Sequence, residues 1–187
     1  MARIAILGWG SLIWDTQPKF SAFIDQCGPW LRGGPRLPLE FSRISDSRSG
    51  ALTLVIDPEY GTECSVSYCV SARDLSPDAV EDLWVREGPT RKEWIGSFRD
   101  PFEHCSYFQA IQAWAWNHGF DDVVWTALPP DFQAARKPFS VDVSYIQGLD
   151  IENATLARKY IKRAPEFAQT PVRRALQRFV KMGDQTP

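Results

Sequence analysis

The sequence predicts an α+β fold, strands early and helices mostly late, with one helix inserted between. Three observations lead there. Short apolar or alternating runs at 3–8, 39–45, 51–57 and 63–71 are separated by glycine, proline and serine turns. A single well-punctuated helix, 77–87, interrupts them. From about Ser140 onward the pattern turns helical.

Each element follows from local chemistry. Residues 3–8 read as a buried strand, and 28–38 as a turn-rich loop carrying Gly28-Pro29, Gly33-Gly34-Pro35 and Pro38. The turn 45–50 joins two strands, the second being ALTLVID. ECSVSYCVS, 63–71, alternates as a strand does. Ser76 is a suitable N-cap for the helix, Pro77 suits its first position, and Gly88-Pro89 stops it. EWIGSF, 93–98, reads as a strand, FQAIQAWAWNHGF, 108–120, as a helix closed by Asn117-His118-Gly119, and DDVVWTAL, 121–128, as a strand. NATLARKYIKRA is periodic, and Thr170-Pro171 opens a last helix. Residues 184–187 read as a loose end.

With 187 residues, 44% hydrophobic and 24% charged, one globular domain spanning 1–187 is expected. A net charge of −2 gives no field favouring nucleic acid or anionic membrane, and no run of about eighteen apolar residues suggests a membrane span. The first residues lack the pattern of a secretory leader, so the expectation is a soluble cytoplasmic protein. The four cysteines, Cys27, Cys64, Cys69 and Cys105, form no CxxC pair. They read as reduced thiols rather than metal ligands or disulfides.

Two features carry chemistry. Val80, Leu83 and Trp84 follow the i, i+3, i+4 spacing of a buried stripe, and its next position is Glu87. Burial and the negative end of the helix dipole would both raise that carboxyl's pKa, as a general base near neutral pH requires. Pairing with Arg86, or exposure as the helix turns away, are the plainer readings. The second feature is Gly8-Trp9-Gly10-Ser11-Leu12, which follows a strand. Glycines there allow successive N–H groups to face one way and hold an anion, Ser11 adding a hydroxyl. An ordinary tight turn is the alternative. The segment has neither the third glycine of a dinucleotide fingerprint nor a Walker lysine.

Taken together, LGWGSLIW, SRSGALTLVIDP and SYCVSARDLSPDAVEDLWVREG resemble, in order, motifs of the gamma-glutamylcyclotransferase superfamily, nearest its ChaC-type branch, over roughly residues 4–90. The resemblance implies a small mixed β-barrel with flanking helices. It also implies cleavage of a gamma-glutamyl amide, glutathione or another gamma-glutamyl amine, by cyclisation to 5-oxoproline without cofactor or metal. Trp9, Gly10, Ser11 and Leu12 match the family's substrate-cradling turn, and Glu87 matches its catalytic glutamate. Arg48, in the family-like strand region, is a candidate for a substrate carboxylate; a surface ion pair is the alternative. Two departures stand out: Trp9 replaces the family tyrosine, and Gly88-Pro89-Thr90 replaces the ChaC-type GGY. The family also has an aromatic hydroxyl further downstream, for which Tyr145 and Tyr160, and the non-phenolic Trp125, are candidates.

Arg43 is a weaker carboxylate candidate. His118 reads as part of a helix C-cap, and His104 has no serine or cysteine pattern nearby beyond Cys105, a Cys–His pair formed in space being the alternative. Arg158, Lys159, Lys162, Arg163, Arg173, Arg174, Arg178 and Lys181 read as a solvated helical face, with RNA binding a distant second reading. The expected partner is a small gamma-glutamyl molecule, not nucleic acid or membrane. A non-catalytic domain of the same fold that binds a small anion or a partner is the competing reading.

Overall fold

The computed structural model describes residues 1–45, 50–88, 91–99, 105–131 and 140–183, with side chains of 140–143 and 179–183 excepted. Among these the chain is α+β. The strands are β1 (Ile4–Gly8), β2 (Arg36–Ser45), β3 (Ala51–Ile56), β4 (Thr62–Ser65), β5 (Ser67–Val70), β6 (Ile95–Gly96) and β7 (Asp122–Thr126). The helices are α1 (Ser11–Trp14), α2 (Ser21–Ile24), α3 (Ser76–Glu87), α4 (Phe108–His118), α5 (Ser140–Gly148), α6 (Ile151–Arg163) and α7 (Pro171–Gly183). The chain divides into two compact units, one of Met1–Leu37 with Glu63–Leu128, the other of Pro38–Thr62 with Pro129–Pro187.

The strands lie in two sheets, ordered β5-β1-β7-β6 and β3-β2-β4, and do not close into the barrel that the resemblance implied. Part of the reason is local. The expected strand 63–71 breaks at Val66, whose N–H donates to Pro35 O at 3.0 Å. The outer edge of β5 is then taken by the stretch read as a turn-rich loop. Gly28 N–H donates to Val70 O, Leu31 N–H to Tyr68 O and Tyr68 N–H to Leu31 O. Gly34 N–H donates to Val66 O at 2.9 Å, an approach that leaves a Cβ only 2.7 Å from that oxygen. An edge occupied in this way cannot recruit another strand.

In the first unit, β1 is buried at all five residues. It pairs antiparallel with β5, Ile6 opposite Cys69, and parallel with β7, Ile6 opposite Val124. Ile4, Ile6, Cys69 and Val124 pack with Leu12, Phe23, Ala79, Leu83 and Ile95 in one apolar cluster. That cluster joins the sheet to α1, α2 and α3. β7 continues into β6, with Gly96 opposite Trp125. Trp125 is fully buried beside Phe98 and Phe108. α4 ends as the sequence predicts, on Gly119 in left-handed conformation with φ 68°. The four cysteines are free.

In the second unit, β2 and β3 form an antiparallel hairpin running from Leu39 opposite Ile56 to Ser45 opposite Ala51, with a bulge between Phe41 and Arg43. Phe41 meets Tyr160 of α6 edge-on at 6.2 Å. The carboxyl of Glu40, 2% exposed, accepts the Phe41 N–H at 2.7 Å and the Val172 N–H at 3.4 Å, the latter at the positive end of α7. Thr170 caps α7 as expected, its Oγ1 accepting the Arg173 N–H at 3.3 Å. Arg173 does not belong to the solvated face assigned to it. It is 8% exposed, and Nη1 donates to Pro165 O and Ala168 O, carbonyls of the turn between α6 and α7. Burial holds its pKa below the usual arginine value. Arg158, Lys159, Lys162, Arg163, Arg174 and Arg178 are exposed, and the Lys181 side chain lies outside the described residues.

Gly96 has no room for a side chain. A Cβ there would sit 2.3 Å from the Trp125 indole, which has no space to retreat. Gly96→Ala is expected to cost about 1–3 kcal/mol of stability, read as a lowered urea midpoint with an unchanged m-value.

Candidate functional site

The site begins where β1 ends. Gly8 must be glycine, because a Cβ would fall 2.3 Å from the Trp30 ring. Trp9 turns inward and is 7% exposed. Gly10 takes φ 63° and ψ −148°, a conformation that side chains with a Cβ avoid. Ser11–Trp14 then form the single turn α1, with Ile13 N–H donating back to Gly10 O at 3.2 Å. Leu12 is buried in the apolar cluster and anchors this turn. The four turn residues named from the sequence therefore form one continuous bend, with Ser11 half-buried.

The helix that carries Glu87 packs in the same unit. Its buried positions are Ser76, Ala79, Leu83 and Arg86. The stripe expected at 80, 83, 84 and 87 is rotated by about one residue, so Val80, Trp84 and Glu87 flank it and are half-buried. The fully buried charge in the last turn is Arg86, 7% exposed. Its Nη2 donates to Ser11 O at 3.3 Å, and its guanidinium lies 3.6 Å from the centre of the Phe20 ring. A guanidinium suits this place: it satisfies a carbonyl at the helix dipole's negative end and stacks on an aromatic face. The end of α3 is thus tied to the glycine bend through the residue next to Glu87.

The other candidates are placed as follows. Arg48 lies outside the described residues, as does His104. Arg43 belongs to the second unit, where Nη1 donates to Pro129 O at 2.8 Å and approaches Asp131 at 3.3 Å. His118 stacks on Trp114 and holds Nδ1 2.8 Å from Trp114 O, in keeping with a helix-end role. Tyr145 and Tyr160 are in the second unit, Tyr145 donating to Gly50 O at 2.9 Å. The tyrosines that share a unit with Glu87 are Tyr68 and Tyr107. Tyr68 is engaged with Trp114 and Phe120. Tyr107 is a buried phenol that sequence reading passed over. Burial pushes its hydroxyl pKa up, and a hydrogen bond with Cys105 adds to the effect. Among the described residues no three His, Cys, Asp or Glu side chains gather as a metal site needs.

Two outcomes follow. Arg86→Met is expected to lose about 1.5–3 kcal/mol of stability, since it removes a charge-assisted hydrogen bond and a cation–ring contact; chemical denaturation reads it. Tyr107 has a folded pKa above its unfolded one, so its contribution is full below about pH 10 and fades as pH rises through the folded value. Tyr107→Phe is expected to flatten the alkaline fall in melting temperature.

No family model, curated protein or solved structure matches the chain.

Proposed function

We propose that this chain is a gamma-glutamylcyclotransferase-like lyase that releases an amine from a gamma-glutamyl amide by closing the glutamyl part into 5-oxoproline. The observation that carries the reading is the Arg86–Ser11 contact. The acid chosen by helical spacing adjoins the residue that touches the bend chosen for its glycines. The sequence likeness in the 4–90 region supports the same assignment.

The chemistry needs little machinery. The substrate supplies its own nucleophile, an alpha-ammonium at neutral pH. Glu87 takes one proton from it, and the freed nitrogen attacks the gamma-carbonyl. Five-membered closure is favoured because both groups belong to one molecule. Backbone N–H groups at Gly10–Leu12 hold the alpha-carboxylate or stabilise the developing oxyanion. The carbon–nitrogen bond to the leaving amine then breaks. Glu87 returns its proton to that nitrogen, and a second proton passes from the attacking nitrogen to the leaving one. Water is not consumed and no metal or organic cofactor takes part. The substrate is glutathione or another gamma-glutamyl amine, and the working compartment is the cytoplasm; among the described residues no helix is long and apolar enough to cross a membrane.

One observation favours a second reading, a non-catalytic domain that binds a small anion. Trp9 is buried and carries an indole where the family carries a phenol, so the hydroxyl of that position is gone.

Purified protein incubated with a panel of gamma-glutamyl amides separates the two. Catalysis predicts 5-oxoproline in equimolar yield with the released amine, and Glu87→Gln lowers the rate by about a hundred- to ten-thousand-fold with an unchanged circular dichroism spectrum. Wild-type turnover in that variant removes Glu87 from the mechanism, and no product from any amide leaves the binding domain.

A further inference from the structure

Two of the four cysteines meet across the edge of the first sheet, and the Glu87 chemistry uses neither. Cys27 lies opposite Ser71 in an isolated antiparallel bridge. Gly28 N–H donates to Val70 O and Ala72 N–H to Gln26 O, both at 2.9 Å, so Cys27 and Ser71 form the close, non-hydrogen-bonded kind of pair. Cys69 is two residues from Ser71 and shares its side of the strand. Cys69 is fully buried in the apolar cluster, and Cys27, half-buried, packs against that same cluster. The two thiols are hydrogen-bonded to each other. Both are free.

Their surroundings divide the roles. Cys69 is on β5, which β1 holds on one side and the 28–34 segment on the other. Cys27 follows the short helix α2 and is the one that solvent reaches. The hydrogen bond with Cys27, together with burial, holds the Cys69 thiol far above its usual pKa, so the shared proton stays on Cys69. The edge also carries slack. Four steps from Cys27 to Leu31 oppose three from Ser71 to Tyr68, one extra residue in the manner of a bulge. A disulfide needs its sulfurs about 2.05 Å apart and its Cβ atoms about 3.8 Å apart, and the adjustment falls on this edge rather than on β5.

We propose that Cys27 and Cys69 are a redox couple, a dithiol that a small-molecule disulfide converts into an intramolecular disulfide. Cys27 gives up its proton and its sulfur attacks the small disulfide. A mixed disulfide forms at Cys27, and the first small thiol leaves with that proton. Capped in this way, Cys27 no longer holds the proton on Cys69. The Cys69 sulfur loses it, attacks the Cys27 sulfur and displaces the second small thiol, which takes the proton. Two protein S–H groups are oxidised, one small disulfide is reduced to two thiols, and excess thiol reverses the sequence. The new bond pins to β5 the segment whose Trp30 ring lies against Gly8, where the bend begins. A pair that must shift to join suits a reversible link rather than a permanent one. The modification is independent of the reaction assigned to Glu87.

The test equilibrates the full chain in graded mixtures of 2-hydroxyethyl disulfide and 2-mercaptoethanol, then applies an acid quench, alkylation and peptide mapping without reductant. Neither reagent is a gamma-glutamyl amide, so failure here is distinct from failure of the lyase assay. The expected product is a monomer two hydrogens lighter, with the Cys27 and Cys69 peptides joined and Cys64 and Cys105 alkylated. Its melting temperature should rise by several degrees and fall back when mercaptoethanol is added. Cys27→Ser, a change at a half-buried position, should leave the remaining thiols reduced across the series. Cys69→Ala should accumulate the mercaptoethanol adduct on Cys27, and Cys105→Ser should pair as wild type does. Four alkylated cysteines at every ratio, a disulfide joining any other pair, or links formed only between chains overturn the proposal.

Discussion

A strand with no exposed residue organises the first unit. β1 is sealed by β5 on one side and β7 on the other, and its side chains feed the apolar cluster that also receives Leu83 and Ala79 of α3. Because its register is fixed on both edges, the point where it ends is fixed as well. Gly8 falls against Trp30, Gly10 reverses the chain, and Leu12 returns it to the core. A slip of one residue would exchange the side chains of β1 between its two buried faces and take each out of the packing made for it, so the position of the bend is set by burial rather than by the bend's own bonds.

The same cluster sets the rotation of α3. With Ser76, Ala79, Leu83 and Arg86 inward, the helix presents opposite ends to two different neighbourhoods. Its last turn reaches Ser11 through Arg86, and its first turn carries Ser76, a buried residue. One packing decision thus brings the end of α3 against the glycine bend. The guanidinium is the costly part of that decision, since a buried cation must recover its lost hydration through the Ser11 carbonyl and the Phe20 ring.

Much of this arrangement is legible from local pattern. Pro77 and Gly88 bracket α3, Gly119 closes α4, and Thr170-Pro171 opens α7, because those residues act on their own backbone. What the sequence conceals is non-local. Rotation of α3 by one residue turns on whether Arg86 finds a carbonyl and a ring, and those belong to residues 66 or more positions away in the chain. Arg173 is hidden for a similar reason: beside Arg174 it reads as surface, yet only one of the two meets the carbonyls of Pro165 and Ala168. Tyr107 was missed because its burial depends on tertiary packing, and the break at Val66 because its partner is the main chain of Pro35, which no side-chain periodicity reports.

The division into units has a bearing on synthesis. Each unit is assembled from two separated stretches, and the polypeptide passes from one to the other at 37–38, 62–63 and 128–129. The β2–β3 hairpin is made early, but the helices of its own unit emerge only after residue 139. During translation that hairpin must wait, its apolar face lacking a cover, while roughly eighty residues are added. Non-local order of this kind slows folding and leaves strand edges open to strangers. A nascent chain halted near residue 128 would hold a completed β1 sheet and an orphaned hairpin, the natural client of a ribosome-associated chaperone.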